Sequence, residues 1–213
     1  MNLGFIKIAR EGLSFLLIIL FMILLVGFMS WKWAAIPLVA FIFVVFFFRD
    51  PERTIPGEPG IVVSSADGTV DGIDEVLAPD NSGRKVKRVS IFLSIFNVHI
   101  NRIPYGGVVE TVTYRPGKFH NAMEGKSSIF NEHNLVQLKC DTRTIWVKQI
   151  AGMIARRIIC YCHSGDPVIR GERFGLIRFG SRVEIFLPPD TEILVKMKDK
   201  VKGGETVIGK LAS

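Results

Sequence analysis

The sequence is poor in cysteine, and the cysteines it has follow no pattern. Cys140, Cys160 and Cys162 are the three among 213 residues. An odd count without framework spacing excludes a disulfide scaffold. Cys160 and Cys162 fall on one face of a strand, where core packing is expected. No Cys-x2-Cys or His-x3-His spacing accompanies them, so no metal is expected. The G-x-S-x-G elbow of many serine hydrolases is also missing. The one dense basic run, Arg84-Lys85-Val86-Lys87-Arg88, lacks interleaved aromatics, which argues against a nucleic-acid partner. Beyond residue 60 there is no long stretch with the 3.6-residue period of an amphipathic helix, and no tandem repeat.

Apolar residues are abundant instead, and they are concentrated at the start. Mean hydropathy is +0.33. Twenty uncharged residues run from Gly12 to Trp31, and sixteen more from Trp33 to Phe48. A bilayer core about 30 Å thick needs roughly 20 apolar helical residues. The first run is long enough to span it; the second is short. Trp31-Lys32-Trp33 reads as an interfacial turn, since Trp prefers headgroup depth and Lys snorkels. Lys7 and Arg10 precede the first run, and Arg49 and Arg53 follow the second. A hairpin with both ends in the cytoplasm is therefore expected from the positive-inside rule. A second apolar run and the lack of a small-x-small site argue against a cleaved signal peptide. The net charge of +7 suits an anionic lipid surface.

From these boundaries we expect a membrane-associated helical hairpin over 1–48, a linker over 49–60 and one domain over 61–213. The linker ends in the turn-forming run Thr54-Ile55-Pro56-Gly57-Glu58-Pro59-Gly60. The domain is expected to be mainly β, a single β-rich sandwich or barrel. Its strands are expected at Ile61–Ser65, Thr69–Ile73, Val86–Ile95, Gly107–Tyr114, Leu135–Cys140, Thr144–Gly152, Met153–Cys162, Phe174–Ile177, Val183–Leu187 and Glu192–Val195, each bounded by Gly, Pro or Asn/Asp. Phe119–Phe130 reads as a polar loop or short helix. Val201–Gly209 resembles a hairpin of lipoyl-type sandwiches, and Lys196-Met197-Lys198 inverts the Lys–Met order of a biotinyl carrier.

Few residues stand out chemically. Gly180-Ser181 lies between two strand-like runs; glycine tolerates unusual φ/ψ and leaves its carbonyl open to attack. Alone, such a pair reads as a turn. Asp67 sits in Ala66-Asp67-Gly68, which reads equally as a hairpin turn. His99 follows a strand-like run and precedes Ile100-Asn101-Arg102-Ile103-Pro104. Histidine suits proton transfer near neutral pH, and strand ends are where sites gather. His120, His133 and His163 lack ligand spacing.

Taken in order, these segments resemble the phosphatidylserine decarboxylase family, its short form in particular. The likeness is carried by the apolar N-terminus, Phe48-Arg49-Asp50-Pro51, the Ala-Asp-Gly turn, Val98-His99-Ile100-Asn101-Arg102-Ile103-Pro104, Tyr114-Arg115-Pro116-Gly117-Lys118-Phe119, Asn131-Glu132-His133-Asn134 and Phe179-Gly180-Ser181. Archaetidylserine decarboxylases share much of this pattern, which leaves the lipid backbone open. The sequence departs from the long bacterial form at Phe96, where that form has a second His. The usual Leu-Gly-Ser-Thr cleavage sequence reads Phe-Gly-Ser-Arg here, as in short members.

The resemblance implies a self-cleaving proenzyme. Asp67 and His99 would activate Ser181, which attacks the Gly180 carbonyl. The chain would split into a large piece, 1–180, and a small one, 181–213, which stay together as a heterodimer. Ser181 would become a pyruvoyl group, the Schiff-base-forming cofactor for decarboxylating a membrane phospholipid, with neither metal nor PLP. Lys118 and Arg115 are candidates for the lipid phosphate, and the expected location is the cytoplasmic face of the cell membrane. Two other readings remain at this point: a serine hydrolase with an intact chain, and a membrane-anchored carrier or binding module.

Overall fold

The computed structural model describes residues 7–120, 127–152, 157–178 and 180–212. The expected strand over Met153–Cys162 and the expected loop over Phe119–Phe130 therefore fall partly outside the described residues, as does Phe179. The chain divides into two compact units, 1–52 and 53–213.

The first unit is a helical hairpin. Helix α1 is Arg10–Met29 and helix α2 is Ala35–Phe47. Neither has a side-chain cap at its start. Most of its leucines and isoleucines are exposed, with Phe21, Phe28 and Phe46, as expected of a surface that faces lipid rather than water, while Phe47 and Phe48 are buried. α1 is long and apolar enough to cross a membrane, with a mean hydropathy of 2.8. α2 has 13 residues, about 20 Å at ~1.5 Å per residue. Turns over Trp31–Ala34 join them, and Pro37 falls in the first turn of α2, where its missing N–H is harmless. The open end is zipped shut: Ala9 N–H donates to Phe48 O at 2.8 Å and Asp50 N–H to Lys7 O at 2.7 Å. Phe15 stacks on Phe48 at 5.8 Å.

The second unit is mainly β. Its strands are β1 (Ile61–Val63), β2 (Gly68–Leu77), β3 (Lys85–Leu93), β4 (Ile100–Arg102), β5 (Gly107–Arg115), β6 (His133–Cys140), β7 (Arg143–Ile150), β8 (Ile158–Cys160), β9 (Pro167–Val168), β10 (Arg173–Ile177), β11 (Ser181–Leu187), β12 (Glu192–Ile193), β13 (Lys200–Val201) and β14 (Val207–Lys210). The short helix α3 is Ser127–Phe130. Among the described residues, eight strands form one sheet in the order β13-β2-β3-β11-β7-β6-β5-β9, curled into a half-barrel. Two three-stranded sheets, β1-β14-β12 and β4-β10-β8, complete the unit.

Alternation along the strands places the core. Val89, Ile91 and Leu93 of β3, Val183, Ile185 and Leu187 of β11, Ile145 and Val147 of β7, and Val136 and Leu138 of β6 share one face and are fully buried. Each contributes about 1.5–3 kcal/mol by leaving water. Phe174 and Ile177 of β10 belong to the same core. Cys140 is buried in it, and Cys160 and Cys162 pack against it as free thiols.

The expected strands differ from the observed ones in several places, β13 and β14 among them, which fall in the Val201–Gly209 segment rather than among the expected strands. β2 runs on to Leu77 because cross-strand charges replace apolar alternation there: Asp74 lies opposite Arg88, and Glu75 opposite Lys87. β4 and β9, with three and two residues, are too short to leave a period in the sequence.

Candidate active site

Antiparallel register brings one end of the large sheet into line. Thr69, Phe92, Arg182, Ile150, His133 and Arg115 form a row across β2, β3, β11, β7, β6 and β5. Asp67 lies in the turn just before β2, two residues ahead of Thr69, and Ser181 immediately precedes Arg182 on β11. Lys118 lies just beyond it, where its N–H donates to Phe130 O at 2.7 Å. Gly117 makes that approach feasible: a Cβ there would come within 2.5 Å of the Asn131–Glu132 backbone.

Ser181 opens β11, directly after the chain leaves β10 and changes sheet. Gly180 makes that change with φ +64°, the left-handed region that glycine enters freely. A Cβ at Gly180 would meet nothing within 4 Å, so the demand is conformational rather than steric. Ser181 points to the core face, like Val183, and is fully buried. Its Oγ has no hydrogen-bond partner among the described residues. Leaving a buried hydroxyl unsatisfied costs about 1–3 kcal/mol, which asks for a reason.

His99 is also fully buried. Its Nδ1 lies 3.0 Å from Asn97 O. A carbonyl only accepts, so Nδ1 carries a proton, and in the neutral ring Nε2 holds the basic lone pair. Two backbone bonds fix His99 relative to the other candidates. Ile177 N–H donates to His99 O at 3.4 Å, four residues before Ser181. Arg102 N–H donates to Ser65 O at 2.9 Å, two residues before Asp67. Strand β4 thus lies between the Asp67 turn and the strand leading to Ser181.

Asp67 is held from two sides. Arg53 Nη2 donates to both carboxylate oxygens, at 3.0 and 2.8 Å, and Gly203 N–H donates to Oδ1 at 2.8 Å. Both side chains of the ion pair are shielded, with 7% and 13% exposure. Beneath the site runs a ladder of buried amides. Asn134 Nδ2 donates to Gln149 Oε1 at 3.2 Å, and Gln149 Nε2 to Asn101 Oδ1 at 2.8 Å.

A family model described as phosphatidylserine decarboxylase matches residues 40–209. A phosphatidylserine decarboxylase proenzyme of Syntrophus aciditrophicus is 46% identical over 205 residues, covering 95% of this chain and 96% of its own. Its counterpart in Cereibacter sphaeroides is 44% identical, covering 96% and 90%. That of Wolbachia pipientis is 42% identical, covering 99% and 94%. This chain belongs to the phosphatidylserine decarboxylase family.

In this family member the candidates do not all converge. Asp67, His99, Gly180 and Ser181 gather at one end of the sheet. Arg115 shares that end but lies on the face opposite the Ser181 side chain. It is three strands from β11, about 14 Å at ~4.8 Å per strand. His120 is fixed through its backbone, its N–H donating to Asn131 Oδ1 at 2.8 Å. His133 Nδ1 lies 2.9 Å from Asn131 O, and burial pushes its pKa down. His163 is exposed, 3.6 Å from Asp166. No group of three or more His, Cys, Asp or Glu suited to a metal occurs among the described residues.

Several residues of the decarboxylase escape a reading of the sequence. Arg53 reads there as a charge flanking a membrane segment. Gln149 and Asn134 do leave a signal, because each is a polar residue in the core-facing register of an apolar strand. On the opposite face, β11 carries a second polar network. Arg182 Nη2 donates to Asp71 Oδ2 at 2.5 Å. Buried Glu184 accepts from Ser128 Oγ at 2.6 Å and from Arg88 Nη1 at 3.3 Å. Burial raises the Asp71 pKa against the pull of Arg182. Burial likewise lowers that of Lys148, which donates to Ser128 O at 2.6 Å. Arg182, Arg88, Asp71 and Asp74 line a cleft of about 540 Å³ on this face.

Proposed function

We propose that this protein decarboxylates phosphatidylserine to phosphatidylethanolamine and CO2, after cutting its own backbone between Gly180 and Ser181. Family membership carries the reaction. The observation that carries the cut is the buried, unsatisfied Ser181 hydroxyl beside a glycine held at positive φ.

His99 takes the Ser181 hydroxyl proton on Nε2, and Asp67 supports the imidazolium that forms. The freed oxygen attacks the Gly180 carbonyl carbon. The C–N bond breaks, the nitrogen leaves as the amine of residue 181, and Gly180 becomes esterified to the Ser181 oxygen. A base then removes the Cα proton of residue 181. The Gly180 carboxylate departs as the new C-terminus of the large chain. Water hydrolyses the resulting enamine, after tautomerisation, to a pyruvoyl group and ammonia. Residues present fit that group: Ser181 is the first residue of a buried strand, and Gly180 lies in open space that separation can use. Once formed, the group supplies an electron sink for loss of CO2. His99 is then placed to return a proton to the substrate carbon.

The pieces 1–180 and 181–213 would remain a heterodimer. β11 is paired on both sides by large-chain strands, β3 and β7, and β14 and β13 pair with β1 and β2. A fragment this small has too little core to fold alone. Lys118 is the proposed contact for the bound lipid's phosphate. Arg115, on the other face, suits headgroups around it.

We assign residues 1–48 to the membrane, 49–60 to a linker and 61–213 to catalysis, with the catalytic domain on the cytoplasmic face. The cations Lys7, Arg10 and Arg49 at the open end of the hairpin support that side.

The test is release of labelled CO2 from carboxyl-labelled phosphatidylserine in mixed micelles by the purified protein. Activity in the unmodified chain and none in Ser181→Ala is expected. Equal activity in both would overturn the assignment of Ser181.

A further inference from the structure

Three exposed aromatic side chains of the β unit lie toward the end of the sheet that carries Ser181; a fourth, Tyr161, lies beside Phe174. Phe96 is 64% exposed in the loop after β3, Tyr114 is 57% exposed at the end of β5, and Phe130 is 52% exposed in α3. Ile129 beside Phe130 is 71% exposed. A buried network props them outward: Ser128 between β11 and β7 donates to Glu184, and its carbonyl accepts from Lys148. With the inner side of α3 fastened, Ile129 and Phe130 face solvent. Lys118 is joined to Phe130 through the backbone, and Arg115 follows Tyr114 in sequence.

We propose that this end of the β unit is a second membrane-binding surface, separate from the helical hairpin. Phe96, Tyr114, Ile129 and Phe130 would enter the headgroup layer of an anionic bilayer, and Arg115 and Lys118 would contact lipid phosphates. The proposal rests on a lipid substrate and deepens the function proposed above. Aromatic residues favour headgroup depth, and exposed apolar clusters rimmed by cations mark surfaces that bind anionic membranes. Cations are present where the apolar side chains are exposed: Arg115 ends β5 and Lys118 follows it, and both are exposed. Docking here would bring the mouth of the Ser181 site to the lipid headgroups. A tether alone leaves the domain free to turn; this surface would fix its orientation.

The test uses the full-length chain with Cys140, Cys160 and Cys162 replaced by alanine, retained only if it still self-cleaves. Ile129→Cys and Phe130→Cys are labelled separately with bimane, and Leu77→Cys at the far end is the control. Each protein is reconstituted in phosphatidylcholine–phosphatidylglycerol vesicles that contain spin-labelled lipid. Labels at 129 and 130, at an insertion depth of about 5–10 Å, are expected to lose about half their emission or more, and the label at 77 almost none. Raising the salt should weaken quenching at both sites.

Equal quenching at 77 and 130, or none at either, would overturn the proposal. So would full burial of the 129 label in detergent alone at the mass of a dimer, which would mark an interface between two copies of this chain. An independent reading compares substrates. Ile129→Glu/Phe130→Glu should raise KM for vesicle phosphatidylserine about tenfold, converting the loss of two buried side chains conservatively. Turnover of monomeric short-chain phosphatidylserine and self-cleavage should stay unchanged. Failure on both substrates by the unmodified chain would instead sink the decarboxylase reading, while quenching would still report docking.

Discussion

His99 and Ser181 are both buried polar side chains, and the surrounding backbone decides what they can do. The Asn97 carbonyl fixes the proton on Nδ1, which makes Nε2 the basic atom of the neutral ring. His99→Ala should therefore leave an uncleaved chain with a near-native fold, as seen on a denaturing gel beside circular dichroism. Normal cleavage in that variant would remove His99 from the first step. Gly180 is a separate case, because a methyl group fits there while the positive φ does not. Gly180→Ala should cost about 1–3 kcal/mol, a fall in Tm of several degrees by calorimetry, and should slow cleavage. Arg53→Gln should cost about 3 kcal/mol, since breaking a buried ion pair strands the Asp67 carboxylate. Its cleavage should be slowed as well. His133 gives a pH signature. Burial lowers its pKa in the folded state, so the unfolded chain takes the proton more readily. Its contribution to stability is complete above about 6.5 and is lost as pH falls below that toward the folded-state value. His133→Asn should flatten the dependence of Tm on pH in that interval.

At the level of elements, legibility followed burial on one face. β3, β6, β7 and β11 keep apolar residues at most core-facing positions, while the other face mixes polar partners with a smaller cluster of Val86, Trp146 and Phe186. Their positions can be read from the sequence within a few residues. β2 can be followed only to Ile73, since Asp74 and Glu75 beyond it are satisfied by partners on β3 that no local pattern reveals. Gly180-Ser181 and His99 were legible as candidates through the order of their segments. The Arg53–Asp67 pair was not, because residues 14 apart meet only when the segment before β1 lies against the domain. The Glu184–Ser128 contact joins residues 56 apart and leaves no sequence signal either. β11 is the element on which both core and site depend. Ile185→Ala, with the side chain fully buried, should cost about 2–5 kcal/mol, measurable by urea unfolding, and should reduce the cleaved fraction in parallel.

For the whole molecule, self-cleavage has to happen without loss of the fold. The strand order meets that condition. A small chain beginning at Ser181, as proposed, would start in the middle of the large sheet and supply strands to a second sheet, so the cut would leave those pairings in place. Native chromatography should accordingly give one peak that contains both pieces, and urea should unfold them together. In the proposed arrangement the hairpin would hold this assembly at the membrane, where the acyl chains of a phospholipid substrate remain. Intact mass measurement of the purified protein under denaturing conditions tests the central claim most directly. Two species are predicted, ending at Gly180 and beginning at residue 181, with the smaller lacking a free amino terminus and carrying the mass of a pyruvoyl group in place of serine. A single uncut chain with full decarboxylase activity would contradict the account.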